Sequence, residues 1–323
     1  MQKYDLNLSL IDKASSFLNG KIRKTPIEFS PILSEFLKVP VYLKLEFLQI
    51  TGSFKIRGAM FYLSTLSDKE KGKEIAACSA GNHGLGVAYA AKEIGINCTI
   101  YVPKNAEMAK QEKILKLGAK VRCSEFIGYD DTLEWAKKEA KANEQHLITA
   151  FDDERIMAAN GGSLATEIFS EVPSMQNLIV PIGGGGLSGG MAYYLKSKNP
   201  SIGIIGCQHI ESPALKLSLE RGQAVTSLSS IETEAGGLEG GIGEKCFEVL
   251  RHRIDEVKLL SEQEIIQGFR WMLDNHQYLI EPTSAVTIAS CLSNEISKIR
   301  GTTVVVLTAR NVGYKTLQRL VTQ

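Results

Sequence analysis

Between residues 40 and 48 the chain reads PVYLKLEFL, with apolar side chains on near-alternate positions, the period-two pattern of a strand. Glycines at 52 and 58 break that pattern within TGSFKIRGAM (51–60), and a helix is predicted over 57–66. Short apolar runs and helical spacings then take turns. IAACSA (75–80), CTIYVP (98–103) and AKVRCSE (119–125) predict strands, while GVAYAAKEI (86–94), MAKQEKILKLG (108–118) and TLEWAKKEAKAN (132–143) predict the helices beside them. Strand and helix alternating through short connections is the pattern of a parallel sheet with helical crossovers. It resumes after 147: a helix over 163–172, an apolar strand from 177 that ends in glycines and leads into a helix reaching 198, a strand over 202–208, helices over 261–276 and 285–296, and an apolar strand over 302–309. The predicted fold class is α/β, with two open, twisted, mostly parallel sheets and helices on both faces. A small unit, residues 50–146, is expected to be inserted into a large one formed by 1–49 and 147–323, with a ligand in the cleft between them.

Composition agrees with two cores and removes some functions. The chain has 323 residues, 44% of them hydrophobic, and 37 Lys and Arg against 36 Asp and Glu, so electrostatic capture of nucleic acid or an anionic membrane has no support. No apolar stretch is long and uninterrupted enough for a membrane span. The six cysteines are scattered without a C-x-x-C pair and the start, MQKYDLNLSL, lacks the apolar run of a signal peptide, so a reducing cytoplasm is expected. The histidines and cysteines show no zinc spacing, and no metal is expected.

Four stretches carry candidate chemistry. GGGGLSGG (183–190) sits between the strand and the helix of the second unit, where backbone N–H groups at a helix start cradle an anion; a flexible turn is the alternative, and the stretch lacks the GK[ST] of a nucleotide loop. SAGNHGLGVA (79–88) repeats the strand-to-helix arrangement and adds Asn82 and His83; capping by Ser79 or Asn82 explains it as well, and a structural role suits His83 better than that of a base. Lys55 is either a solvated surface lysine or, desolvated between two units, an amine nucleophile able to form a Schiff base; Arg57 is expected to pair with a carboxylate such as Glu46. Thr308, at the end of the last core strand, is either a hydroxyl at the mouth of the sheet or a helix cap.

In this order the four stretches resemble pyridoxal-phosphate enzymes of fold type II, the tryptophan-synthase-β type, and within it the serine/threonine dehydratase group. KLEFLQITGSFKIRGA (44–59) is similar to the segment with the Schiff-base lysine, which implies Lys55 for that role with Phe54 beside it. SAGNHG (79–84) resembles the asparagine loop, implying that Asn82 meets the ring oxygen of the cofactor and that Ser79, Ala80, Gly81, Asn82 and His83 receive the substrate. GGGGL implies a phosphate cradle of Gly183, Gly184, Gly185, Gly186 and Leu187, Gly237 lies in a further cofactor-binding stretch, and Thr308 stands where the family faces the pyridine nitrogen with Ser or Thr. The implied reaction is β-elimination of a β-hydroxy amino acid such as L-threonine or L-serine to a 2-oxo acid and ammonia, by a homodimer.

Departures narrow it. Serine racemases carry a second serine, an opposite-face proton donor, where this chain has Ala80, which favours elimination. NGGS (160–163) replaces the frequent GQGT, TARN (308–311) an SGGN-like ending, and AGG (235–237) a motif with a central aspartate; TARN together with EAGGLEGG (234–241) resembles the dehydratase-like branch of ectoine-utilisation pathways. The positions matching a cation site in some relatives, Gln208, Ser212 and Ala214, are not carboxylates, although Glu211 is near. The alternatives are a β-replacement enzyme of the cysteine synthase kind, an amino acid racemase, or a dehydratase of hydroxyaspartate or an ectoine-derived amino acid.

Overall fold

The computed structural model describes residues 4–79, 81–293, 299 and 301–322, leaving aside the side chain of Ala109. Ten strands form two sheets. The larger has six, β1 (Ile27–Phe29), β2 (Val41–Leu45), β7 (Asn177–Pro181), β8 (Gly203–His209), β9 (Glu256–Leu260) and β10 (Thr303–Leu307), in the order β1-β2-β10-β7-β8-β9. The smaller has four, β3 (Ile75–Cys78), β4 (Cys98–Val102), β5 (Lys120–Cys123) and β6 (His146–Ile148), in the order β5-β4-β3-β6. All neighbours run parallel except β1 against β2. Strands β4 and β10 are buried at every residue, which is why they read as apolar runs without alternation.

The strand orders place the functional residues. In the small sheet β3 lies between β4 and β6, and in the large sheet β10 lies between β2 and β7, so the order reverses at β3 and at the β10–β7 pair. Loops leaving the carboxyl ends of such strands diverge and leave a crevice. Cys78 at the end of β3 leads to Ser79, Pro181 at the end of β7 to Gly183, and Leu307 at the end of β10 to Thr308. The segment before Lys55 crosses between the sheets: Ser53 bridges Ala309, and the Phe54 N–H donates to the Thr308 carbonyl at 3.2 Å.

The predicted helices exist with shifted ends. The one expected over 57–66 runs Lys55–Ser64, so Lys55 is its first residue, and the one expected from 86 begins at Asn82, so Asn82 and His83 belong to a first turn instead of a loop. Glycines inside that turn hid the helical period. A Cβ at Gly84 would lie 2.1 Å from the Ser79 carbonyl oxygen, and one at Gly86 would lie 3.2 Å from the Lys55 and Ile56 backbone, so the two helices pack with glycine at the contact. The helix expected over 285–296 runs Pro282–Leu292, and 294–296 lie outside the described residues. The helix expected at 163 follows Glu154–Met157 and a π-helical segment, Ala158–Gly162.

Candidate active site

Lys55 projects into a cleft of about 450 Å³ at the carboxyl ends of β3, β7 and β10. Its Nζ donates to the Ala150 carbonyl at 3.0 Å. Burial is the main reason that its ammonium is destabilised, with Cys246 and Glu281 acting in the opposite direction, and its pKa falls to about 8. Two positions on, Arg57 is the fully buried ion that the sequence paired with Glu46: Nε and Nη2 reach the Glu46 carboxylate at 2.9 and 2.8 Å, and Nη1 reaches Glu167 at 2.8 Å. Lys44, also buried, donates to Glu167 at 2.7 Å, so both cations and Glu46 are out of solvent while the Glu167 side chain is 19% exposed. Burial opposes charge on Glu46, and Arg57, Lys44 and the Thr25 hydroxyl outweigh it, so its pKa stays below the usual carboxylate value.

The glycine loop is packed on both sides, which explains four glycines in a row. A Cβ at Gly183 would lie 2.2 Å from the Gly237 carbonyl oxygen, one at Gly184 would lie 2.2 Å from the Phe151 ring, and Gly185, at φ 92°, faces Cys246 at 2.7 Å. Gly186 opens the Gly186–Lys198 helix, whose first N–H groups have no carbonyl one turn earlier, and Leu187 follows it into the cleft lining. Gly237 also lines the cleft, its N–H donating to Thr283 Oγ1 at 3.0 Å.

Thr308 is 1% exposed and lines the cleft, and its Oγ1 has no hydrogen-bond partner among the described residues. A buried hydroxyl left unpaired carries a cost that a ligand atom would remove. Asn82 is held at both ends: Nδ2 donates to the Glu281 carboxylate at 2.8 and 3.0 Å, and Oδ1 accepts from Asn311 Nδ2 at 2.7 Å. Ser79 Oγ accepts from the Gly81 N–H at 3.1 Å, and Phe54, Ser79, Gly81 and His83 all line the cleft. Burial first and the neighbouring Lys55 second lower the His83 pKa to about 3, so its ring is neutral, and its Nε2 is unpartnered. Ala80 lies outside the described residues.

Sequence reasoning missed Glu281, Asn311 and Phe151. Glu281 is buried, its carboxyl pushed above the usual range by burial, and it precedes Pro282 at a helix start, which was the available signal for a carboxylate aimed inward at that turn. Asn311 was visible only as the end of TARN, and Phe151 as one residue of an unassigned loop. A second concavity, of about 580 Å³ and lined by Lys73, Lys137 and Lys141, lies at the small sheet's edge and contains none of these residues. Among the described residues no group of three or more His, Cys, Asp and Glu could hold a metal, and Gln208 is taken up by the Lys216 N–H and the Ile182 carbonyl.

These features fit pyridoxal phosphate on the structure's own terms. An amine of lowered pKa suits an aldehyde, a glycine-walled helix start suits a phosphate, and an orphaned neutral hydroxyl suits a pyridine nitrogen. The model of the family described as pyridoxal-phosphate dependent enzyme matches residues 18–309. The catabolic L-threonine dehydratase TdcB of Staphylococcus aureus is 38% identical over 306 residues, covering 94% of this chain and 88% of that protein. Maize serine racemase superposes with a TM-score of 0.91 at 27% identity, covering 98% of this chain and 97% of that one. The processed form of threonine deaminase isoform 2 from Solanum lycopersicum gives 0.88 at 27%, covering 99% and 95%. With cleft, lysine, cradle and relatives in agreement, the chain belongs to the pyridoxal-phosphate dependent enzymes.

Proposed function

We propose that this protein eliminates the β-hydroxyl group of a small L-amino acid, threonine or serine, and releases a 2-oxo acid and ammonia. The observation that carries the proposal is the Lys55 amine at the floor of a cleft shared by the glycine cradle and the unpartnered Thr308 hydroxyl. Gly183, Gly184, Gly185, Gly186 and Leu187 would hold the cofactor phosphate, Phe54 and Gly237 would line the remainder of its site, and Thr308 would offer its hydroxyl to the pyridine nitrogen. Bound there, pyridoxal phosphate supplies an aldehyde that condenses with amines and a ring that accepts the electron pair left at Cα.

The protein's own groups do the remainder. Asn82, fixed between Glu281 and Asn311, would orient the ring oxygen, and the substrate carboxylate would be received by Ser79, Gly81, Asn82 and His83, with Ala80 assigned from the sequence. Lys55, as free amine, removes the Cα proton and becomes an ammonium beside the leaving hydroxyl, which departs as water when that proton is returned to it. The released enamine tautomerises and takes up water, giving the oxo acid and ammonia. A neutral hydroxyl at Thr308 would not hold a proton on a pyridine nitrogen as a carboxylate would, which would favour loss of the β-hydroxyl over return of the proton to Cα. His83, with its pKa lowered to about 3 by burial, is too weak a base to take the Cα proton. Residues 50–146 form a small domain that closes on the large one, 1–49 and 147–323, and keeps water from the reacting atoms. A homodimer in the cytoplasm completes the proposal; among the described residues no helix is long and apolar enough to cross a membrane.

The test is the near-ultraviolet and visible absorption of the purified protein before and after L-threonine and L-serine, followed by assay for 2-oxo acid. A yellow band that shifts, with oxo acid formed, is the expected result. An undisturbed band with thiol incorporation into an activated serine would replace elimination by β-replacement. A change in the chirality of serine without oxo acid would favour racemisation.

A further inference from the structure

The π-helical segment Ala158–Gly162 lies between the two helices whose first residues make the site, the one starting at Lys55 and the one starting at Gly186. All five of its residues are buried. An α-helix widened to the π form for one turn gives up hydrogen-bond geometry, and such turns recur where a site needs a side chain or a backbone group in an unusual place. On one flank Asn160 Oδ1 accepts from the Gly58 N–H at 2.8 Å, with the two groups so close that a Cβ at Gly58 would lie 2.7 Å from that oxygen. Gly58 is the fourth residue of the Lys55 helix; the Phe54 carbonyl one turn earlier accepts from the Arg57 N–H at 3.0 Å, and Asn160 offers the Gly58 N–H an acceptor from outside the helix. On the other flank the backbones touch: a Cβ at Gly161 would lie 2.0 Å from the Leu187 carbonyl oxygen, and one at Gly190 would lie 2.0 Å from that of Met157. The following Ser163 accepts from Arg57 Nη1 at 3.1 Å and donates to the Ala159 carbonyl at 2.5 Å, tying the same turn to the buried ion cluster.

The segment is thus a spacer with Lys55 on one side and the phosphate cradle on the other. An amine and a phosphate cradle serve one cofactor only if their separation is held to a fraction of an ångström, since a misplacement of about 1 Å costs a factor on the order of 10². From these contacts we infer that Asn160 is a positioning residue for Lys55: it anchors the first turn of the lysine's helix to the segment against which the cradle's helix packs, and so sets the span between lysine and cradle. Asn160 does not touch the reacting atoms; it lies outside the cleft lining, 1% exposed. This inference rests on the roles of Lys55 and of the 183–187 loop proposed above.

Three variants test it. Asn160→Leu keeps the volume and removes the acceptor, Asn160→Ser removes the reach of the acceptor with less disturbance of packing, and Asn160→Asp restores an acceptor at the same point. The readouts are the dissociation constant for pyridoxal phosphate, the 2-oxo acid kcat and KM with threonine, and the melting temperature without cofactor. The expected result in whichever of the Leu and Ser variants folds is cofactor binding weaker by roughly tenfold or more and kcat lower by about 10²-fold with KM changed far less, with Asp recovering most of both. Folded variants that bind cofactor and turn over within about twofold of the parent overturn the inference, as does a loss in melting temperature with binding and kcat intact, which marks a purely structural asparagine. If the parent protein itself neither captures the cofactor nor forms oxo acid, the proposed function has failed, and the inference with it.

Discussion

At the scale of single residues, the chemistry turns on how far burial can discharge Lys55. Its amine is protonated below about pH 8 and free above it. Two outcomes are expected. Lys55→Ala removes both the cofactor's protein-bonded absorption band and turnover, and oxo acid formation retained in that variant would remove Lys55 from the mechanism. In the parent protein freed of cofactor, the rate of cofactor capture, followed by stopped-flow absorbance, rises with pH and levels off above about 8. The same shift acts on stability. Folding lowers this lysine's pKa from 10.5 to about 8, so the unfolded chain binds more protons between those values and the site's contribution to stability rises with pH across that window. Lys55 and Thr308 were legible in the sequence because each stands in a distinctive run at the end of a recognisable element. Glu281 was not, since a carboxylate before a proline is an ordinary helix start until the fold brings Asn82 to it from 199 residues away.

Elements explain why the site is rigid. The glycine loop was legible as a strand-to-helix turn, but the reason for its glycines was not, because the obstructing groups, Gly237, Phe151 and Cys246, come from segments distant in sequence. Gly183→Ala would push a methyl group to 2.2 Å from the Gly237 carbonyl oxygen, a contact between backbones that no rotamer relieves, so the loop must move. Turnover is expected to fall on the order of 10²-fold with the cofactor less firmly held, which a titration of the apoprotein combined with the oxo acid assay would show. The Arg57 cluster holds the other side. Arg57→Met leaves the buried Glu46 and the partly exposed Glu167 without their shared cation, and the expected loss is about 3–5 kcal/mol in denaturant unfolding. A loss below about 1 kcal/mol would show that Lys44 alone balances the two carboxylates. The sequence paired Arg57 with Glu46 correctly; it gave no sign of the π-helical segment beside them, because the helix predicted there starts at 163 and Ala158–Gly162 precede it.

Over the whole molecule, the two parallel sheets were legible from the alternation of apolar runs and helical spacings, whereas the side strands and the short helices, β1, β6 and β9 among them, were not, since each is brief and partly exposed. What the assembled fold adds is the charge of the cleft. Glu107, Glu234, Glu239 and Glu281 line it against Lys55 and Lys110, and carboxylates therefore outnumber the cations among the lining residues. Lys110 is itself 3.7 Å from Glu107, Arg319 pairs with Glu234, burial holds the Glu281 carboxyl above the usual range, and Glu239 Oε1 accepts from the Ser230 hydroxyl. A substrate with a carboxylate in its side chain would meet the like charge of Glu239, with no arginine in the described lining to receive it. Among β-hydroxy amino acids, the hydroxyaspartate that the family resemblance allows is therefore expected to be the poor substrate, with kcat/KM at least about tenfold below that of threonine. The difference should narrow as ionic strength rises, because added salt screens the repulsion at a cleft open to solvent. Steady-state oxo acid assays at low and high salt decide it: hydroxyaspartate turned over as well as threonine at low salt would mean that Lys110 turns from Glu107 to the substrate and that the cleft's charge does not select against anions.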